Sequence, residues 1–142
     1  MSDNAAWRDE RTEAAATHAR EIARRRQVEA REARVLIAEF VTEARARGIE
    51  PVRLRARSYD GQHRYRTSTY GWYLRRNESV AVGTDGEFYI LSVPSSLRSL
   101  LRGAEVEPSD PPLILGKGAR DGESIDLKDA LTLALGDEIP RH

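Results

Sequence analysis

Residues 79–93 read Ser79-Val80-Ala81-Val82-Gly83-Thr84-Asp85-Gly86-Glu87-Phe88-Tyr89-Ile90-Leu91-Ser92-Val93, two apolar runs on either side of Asp85-Gly86. Asp-Gly between such runs is a strong short-range signal for a hairpin closed by a two-residue type I′ turn. A two-residue loop sets the register. It puts Thr84 opposite Glu87, Val82 opposite Tyr89 and Val80 opposite Leu91. One face then carries Val80, Val82, Tyr89, Leu91 and Val93, and the other Ala81, Gly83, Phe88 and Ile90. Both faces are apolar, which calls for a covering layer on each side or a partner molecule on one of them.

Upstream, Val52-Arg53-Leu54-Arg55-Ala56-Arg57 alternates apolar with Arg, the pattern of a half-buried strand with its Arg face to solvent. Asp60-Gly61 supplies turn chemistry. A second strand is expected from about Tyr65 to Arg75, with Tyr70, Trp72 and Leu74 on one face. Gly71 within it signals a bulge or a close backbone approach.

From Trp7 to Arg47 the chain contains neither Pro nor Gly and is dominated by Ala, Arg and Glu, all strong helix formers. Gly48 is a natural residue to end that helix in the left-handed conformation, and Pro51 blocks its continuation. Glu21–Arg25 and Glu43–Arg47 are supporting pairs at i,i+4. Ala33, Leu36, Ile37, Phe40, Val41 and Ala44 form a broad apolar stripe, so this half docks on a core and covers one face of the hairpin. Before Ala33 the stripe thins to Ala15, Ala19 and Ile22, interrupted by Arg26 and Glu29.

A helix of that span runs about 60 Å, whereas the rest of the chain makes a globule about 30 Å across. About half of it therefore overhangs, pairs or frays. Five of twelve positions in the best heptad register are charged or Thr, which disfavours a long self-sufficient coiled coil. Residues 1–32 are read as a charged helical extension, frayed or docked on a partner, and residues 33–142 as a single domain. Trp7, solitary in a polar helix, marks a candidate intermolecular contact together with Ile22 and the hairpin residues Phe88 and Ile90.

Downstream, Pro94 opens a short helix with Leu97, Leu100 and Leu101 as its buried stripe and Gly103 as its end. Residues 104–112 read as an acidic, Pro-rich loop, and Leu113-Ile114-Leu115 as a short buried strand. Asp126, with Asp129 three residues on, caps a last helix that buries Leu127, Ala130, Leu131 and Ala134 before Gly136. The expected class is α+β: a long N-terminal helix on a mainly antiparallel sheet of four or five strands, with two short C-terminal helices. That order is similar to small chaperone-like secretion proteins, an analogy of architecture that carries no function.

The 142 residues hold 23 basic and 23 acidic side chains, yet residues 1–76 carry a net +6 and residues 77–142 a net −6. The neutral total thus excludes only a uniformly basic binder and favours charge-complementary contact within the protein or between copies. There is no Cys, hence no disulfide framework, thiolate nucleophile or Cys-based zinc site. No run approaches the roughly 20 apolar residues that span a bilayer, and residues 1–30 lack the apolar segment of a secretory signal. A cytoplasmic protein without membrane contact is expected. Of the basic residues 21 are Arg, a bias that suits phosphate and nucleic acid but also follows from codon usage in a GC-rich genome.

Three constellations invite chemistry. Gly116-Lys117-Gly118-Ala119-Arg120 resembles an anion-binding nest. It lacks the Ser or Thr after Lys and the immediate helix of a phosphate-binding loop, so a plain loop is the reading kept. Asp121, Glu123, Asp126 and Asp129 lack the spacing of a calcium loop. His63 falls in a turn without a second group placed by motif. No catalytic, metal-ligating or cofactor-binding residue is nominated.

Residues 45–76 hold nine Arg against Glu50 and Asp60. Arg53, Arg55 and Arg57 share a strand face with Tyr59, and Arg64 and Arg66 stand on the adjoining strand. Arg and Tyr on an open sheet can stack and hold single-stranded nucleic acid. The same side chains can simply keep a strand soluble or meet acidic residues of this or another chain. A nucleic-acid domain usually has a pI above 9, and this chain's is about 6.9.

Gly71-Trp72-Tyr73-Leu74-Arg75-Arg76 and Ala81-Val82-Gly83-Thr84-Asp85-Gly86 give the chain its one family resemblance, covering most of residues 33–135. It resembles a group of small uncharacterised proteins of high-GC actinobacteria, which implies a cytosolic bacterial protein and no activity. The expectation is a non-enzymatic module that self-associates, as a dimer, or docks a protein. Single-stranded nucleic-acid binding is the alternative, and an enzyme without a recognisable motif the third.

Overall fold

The computed structural model describes residues 2–116 and 123–140. Helix α1 runs Ser2–Ala46. Gly48, at φ 70, ends it as expected: Gly48 N–H donates to Arg45 O (3.1 Å) and Ile49 N–H to Ala44 O (2.9 Å), the paired bonds that satisfy the last carbonyls of a helix. Ala30, Ala33, Ile37, Phe40 and Ala44, spaced alternately by three and four, are its buried face. Everything from Asn4 to Val28 is exposed.

Strands β1 (Val52–Ser58), β2 (Arg64–Tyr73), β3 (Val80–Gly83), β4 (Phe88–Ile90) and β5 (Ser92–Val93) follow, then helix α2 (Leu97–Arg102). Strand β6 (Pro108–Ser109) lies within the stretch expected to be loop, and β7 (Ile114–Leu115) pairs with β8 (Ile125–Asp126) ahead of helix α3 (Leu127–Ala134). The class is the expected α+β. The main sheet has the order β5-β1-β2-β3-β4-β6, antiparallel except where β5 meets β1. Leu91 alone separates β4 from β5, donating its N–H to Ser79 O and accepting at its carbonyl from Arg57 N. The pairing therefore runs full circle through Leu91, and the sheet curls on itself.

That curl answers the question of cover. On one face Trp72, Leu74, Val82 and Phe88 pack with Ile37 and Phe40 of α1 and with Leu127, Ala130 and Leu131 of α3. Phe40 meets Trp72 edge to face at 5.7 Å, and the indole N–H donates to Ile49 O at 2.9 Å. The other face, with Leu54, Ala81, Tyr89 and Leu91, is closed over by the sheet's own Tyr73 and by Val106.

The hairpin register differs from the expected one by a residue. Val80 pairs with Ile90, Ala81 with Tyr89 and Val82 with Phe88. A type I′ turn needs positive φ at both central residues, whereas Gly86 (φ 80) has it and Asp85 does not. The Asp85 carboxylate instead accepts from Glu87 N–H (2.9 Å) and from the Tyr89 hydroxyl (2.6 Å). Gly83 and Glu87 close a three-residue loop, with Gly86 N–H donating to Gly83 O. A one-residue slip moves side chains to the opposite face, so Phe88 joins Val82 while Tyr89 and Leu91 join Ala81.

Strand β2 carries a bulge opposite Leu54, where the register shifts from Arg53↔Tyr70 to Arg55↔Arg66. Buried Thr67 satisfies it: its hydroxyl donates to Leu54 O (2.7 Å) and accepts from Thr69 N–H (3.2 Å). Gly71 is a close backbone approach, since a Cβ there would lie 2.1 Å from Val82 O. Trp72 and Leu74 are buried as expected, but Tyr70 lies beyond the core edge and is 45% exposed.

Three C-terminal expectations change. Leu97, Leu100 and Leu101 are not a buried stripe: they are 80%, 47% and 82% exposed. Helix α2 is held by its ends, with Ser96 N–H donating to Tyr65 Oη (3.0 Å) and Ala104 N–H to Arg66 O (2.8 Å), and among the described residues no element covers Leu97 or Leu101. Pro94 precedes the helix; Ser96 is its cap. Asp126 occupies the N-cap of α3 without a side-chain capping bond, its backbone being committed to β8.

Candidate functional site

The alternation of β1 turns Leu54, Ala56 and Ser58 inward and Arg53, Arg55 and Arg57 outward. Pairing with β2 sets Arg57 directly opposite Arg64 and Arg55 opposite Arg66. Like charges facing each other across an antiparallel pair are destabilising, by some tenths to about 1 kcal/mol. Arg64 is relieved by an ion pair with Glu78. Arg53 lies over the Tyr70 ring at 5.4 Å. Arg55, Arg57 and Arg66 are in none of the ion pairs among the described residues.

The acidic half of the chain is nevertheless engaged, by helix arginines. Arg34 pairs with Asp110 at 2.6 Å and Arg47 with Asp137 at 2.8 Å, alongside the expected pair with Glu43. The Arg47 hydrogen bond holds the Asp137 carboxyl below its usual range. Arg64 of the Arg-rich strands also meets this half, at Glu78, and the exposed Arg53, Arg55, Arg57 and Arg66 are left as a patch without an ion pair among the described residues.

A groove of about 760 Å³ opens beside this patch. Arg55, Arg57 and Tyr59 line it together with Arg64 and Glu78, and Val80 and Ile90 give it apolar surface. Glu78 sits at φ 58, the only non-glycine with positive φ among the described residues, a conformation that costs of order 1 kcal/mol or more and gathers at functional sites. Asp110, already bound to Arg34, also reaches the groove. Tyr59 is 71% exposed. Sequence reasoning found the arginines and Tyr59 but missed Glu78 and Asp110, because their approach depends on the curl of the sheet.

The β1–β2 turn gathers a Ser, Asp and His without making a nucleophile. Asp60 accepts from Ser58 Oγ (2.6 Å), Gln62 N–H (2.9 Å) and Ser95 Oγ (3.0 Å), and the Ser58 bond leads in lowering its carboxyl pKa. Ser58 and Ser95 both donate to the Asp60 carboxylate, and neither hydroxyl is hydrogen-bonded to an imidazole among the described residues. His63 stacks on Tyr65 at 6.0 Å and borders a hollow of about 240 Å³. Among the described residues no group of three His, Asp or Glu side chains is placed to hold a metal ion. Within the Gly116–Arg120 nest only Gly116 is described, and Asp121 also lies outside the described residues.

The four candidate interface residues separate. Trp7 is 56% exposed, with the Arg11 guanidinium 4.7 Å from its ring. Ile22 is 37% exposed and Ile90 51%. Phe88 is withdrawn as an interface residue: the one-residue slip buries it in the main core. Val28 (46%), Leu97 and Leu101 are exposed apolar side chains that the sequence reading did not single out as surface. No helix among the described residues is long and apolar enough to cross a membrane. Compared with protein-family models, curated proteins and solved structures, the chain finds no match in any of the three.

Proposed function

We propose that this protein is a non-catalytic cytoplasmic interaction module that dimerises through the free half of α1. The observation that carries the reading is the exposure of every residue from Asn4 to Val28, about 37 Å of helix with no cover among the described residues. Isolated solvated helices are marginal in water, so a second surface would stabilise this one. Residues 4–13 hold Arg8, Asp9, Glu10, Arg11 and Glu13, two basic against three acidic (net −1), and residues 20–28 hold Arg20, Glu21, Arg24, Arg25 and Arg26, four basic against one acidic (net +3). Antiparallel pairing sets the weakly acidic end against the basic one, with Asp9 near Arg25 and Glu10 near Arg24, whereas parallel pairing sets the two basic ends together. A pair centred near Thr17 brings Ala15 against Ala19 and Trp7 to the Val28 turn of the second copy.

The seam is small and charged, so the association is weak and sensitive to salt. Sedimentation of the full chain across a micromolar range tests it. A mass that rises with concentration, falls with added salt and stays monomeric in R24E/R25E/R26E is the expected result. An unchanged monomer over that range refutes the proposal.

A further inference from the structure

We infer that the groove beside β1 binds an amphiphilic monoanion, a ligand with an apolar body and one carboxylate or sulfonate group, independently of any pairing by α1. Its volume of about 760 Å³ lies within the range of small-molecule sites, roughly 300–1,000 Å³. Arg55 and Arg57 present two guanidinium groups to it that no carboxylate among the described residues neutralises. The register makes Arg55 costly, since it faces Arg66 across the strand pair, whereas the charge of Arg64 opposite Arg57 is offset by Glu78. An anionic group between Arg55 and Arg57 would offset the repulsion at Arg55 and gain charge-assisted hydrogen bonds. Next to them, half-exposed Ile90 and Val80 offer apolar surface, and the Tyr59 ring stands open at the rim.

The other lining charges decide between ligand classes. Glu78 and Asp110 are held in place by Arg64 and Arg34, Asp60 by the hydroxyls of Ser58 and Ser95, and Arg75 by Glu123 O, so the groove has basic and acidic groups together. A polyphosphate chain following it would meet the three carboxylates of Asp60, Glu78 and Asp110. Tyr59 is the one exposed aromatic ring in the lining, whereas stacking platforms for single strands use successive rings. A single anionic head needs only the Arg55 and Arg57 guanidinium groups, with its body over Ile90, whereas a chain of several anionic groups has to pass the carboxylates.

The test uses the full chain and anilinonaphthalene sulfonate, an apolar fluorophore with one anionic group. Fluorescence should rise on binding, and decanoate should displace the dye while inorganic phosphate at equal ionic strength does not. R55Q/R57Q should bind at least about tenfold more weakly, the loss of about one charge-assisted contact, with an unchanged or higher melting temperature because the repulsion between Arg55 and Arg66 is relieved. L97S/L101S, which removes the exposed leucines of α2, should bind like the parent. Equal displacement by phosphate would reduce the site to a plain anion contact and overturn the inference. Displacement by oligothymidylate but not decanoate would overturn it in favour of nucleic acid. Absence of binding, or undiminished binding by R55Q/R57Q, would overturn it as well.

Discussion

Replacing Thr67 by Val tests whether the bulge of β2 is held by a hydroxyl or by packing. Valine keeps the β-branched shape and fills the same space, so packing alone forecasts almost no effect. The hydroxyl, however, satisfies two backbone groups at once, Leu54 O at 2.7 Å and Thr69 N–H at 3.2 Å, in a residue that is 4% exposed. A buried polar group left without its partner costs about 1–3 kcal/mol. With Thr69 partly accessible, the total is about 3 kcal/mol, which lowers the melting temperature of a domain of this size by roughly 10 °C. Thr67→Ser gives the opposite trade: it keeps both hydrogen bonds and loses one methyl, about 1 kcal/mol. Thermal unfolding followed by circular dichroism should therefore rank the parent above Thr67→Ser and Thr67→Ser above Thr67→Val. The reverse order of the two variants, or a Thr67→Val melting point within about 3 °C of the parent, would refute the hydrogen-bond account.

Gly71→Ala should destabilise the fold by about 3 kcal/mol or more in a denaturant titration, because its Cβ would sit 2.1 Å from the backbone carbonyl of Val82. L97S/L101S should change stability by less than about 0.5 kcal/mol, since both leucines are over three-quarters exposed; a larger loss would show that α2 is covered after all. Burial, with the adjacent Asp85 second, raises the Tyr89 pKa above its ordinary value. Its contribution to stability is then present below the unfolded value near 10 and lost as pH rises past it, so unfolding midpoints should fall above about pH 10 and do so less steeply in Tyr89→Phe. The depressed Asp137 pKa works at the other end: stability present above the unfolded carboxylate range is lost as pH falls through the lower folded value. Asp137→Asn should flatten that acid limb.

The site was legible in part. Arg53, Arg55, Arg57 and Tyr59 could be assigned to one exposed strand face because strand alternation is a property of the backbone itself. The opposition of Arg55 to Arg66 and Arg57 to Arg64 depends on the two-residue bulge at Thr67, and no local pattern announces a bulge of that size. The presence of Glu78 and Asp110 in the groove depends on long-range closure.

What the sequence determined by itself was set by interactions spanning a few residues. Gly48 and Pro51 end α1, the Ala33–Ala44 stripe selects its buried face, alternation makes β1, and Asp85-Gly86 makes a hairpin. Tertiary structure decided the rest. The two bonds accepted by Asp85 chose a three-residue loop over a two-residue one and so sent Phe88 inward to the helices. Leu91 passed the strand from β3 to β1, so the sheet covered its own second face without needing a partner. The spacing of Leu97, Leu100 and Leu101 fixed which side of α2 they share, but not whether anything lies over it. Periodicity orients side chains around an axis, whereas burial requires another element to arrive, and that depends on the path of the whole chain.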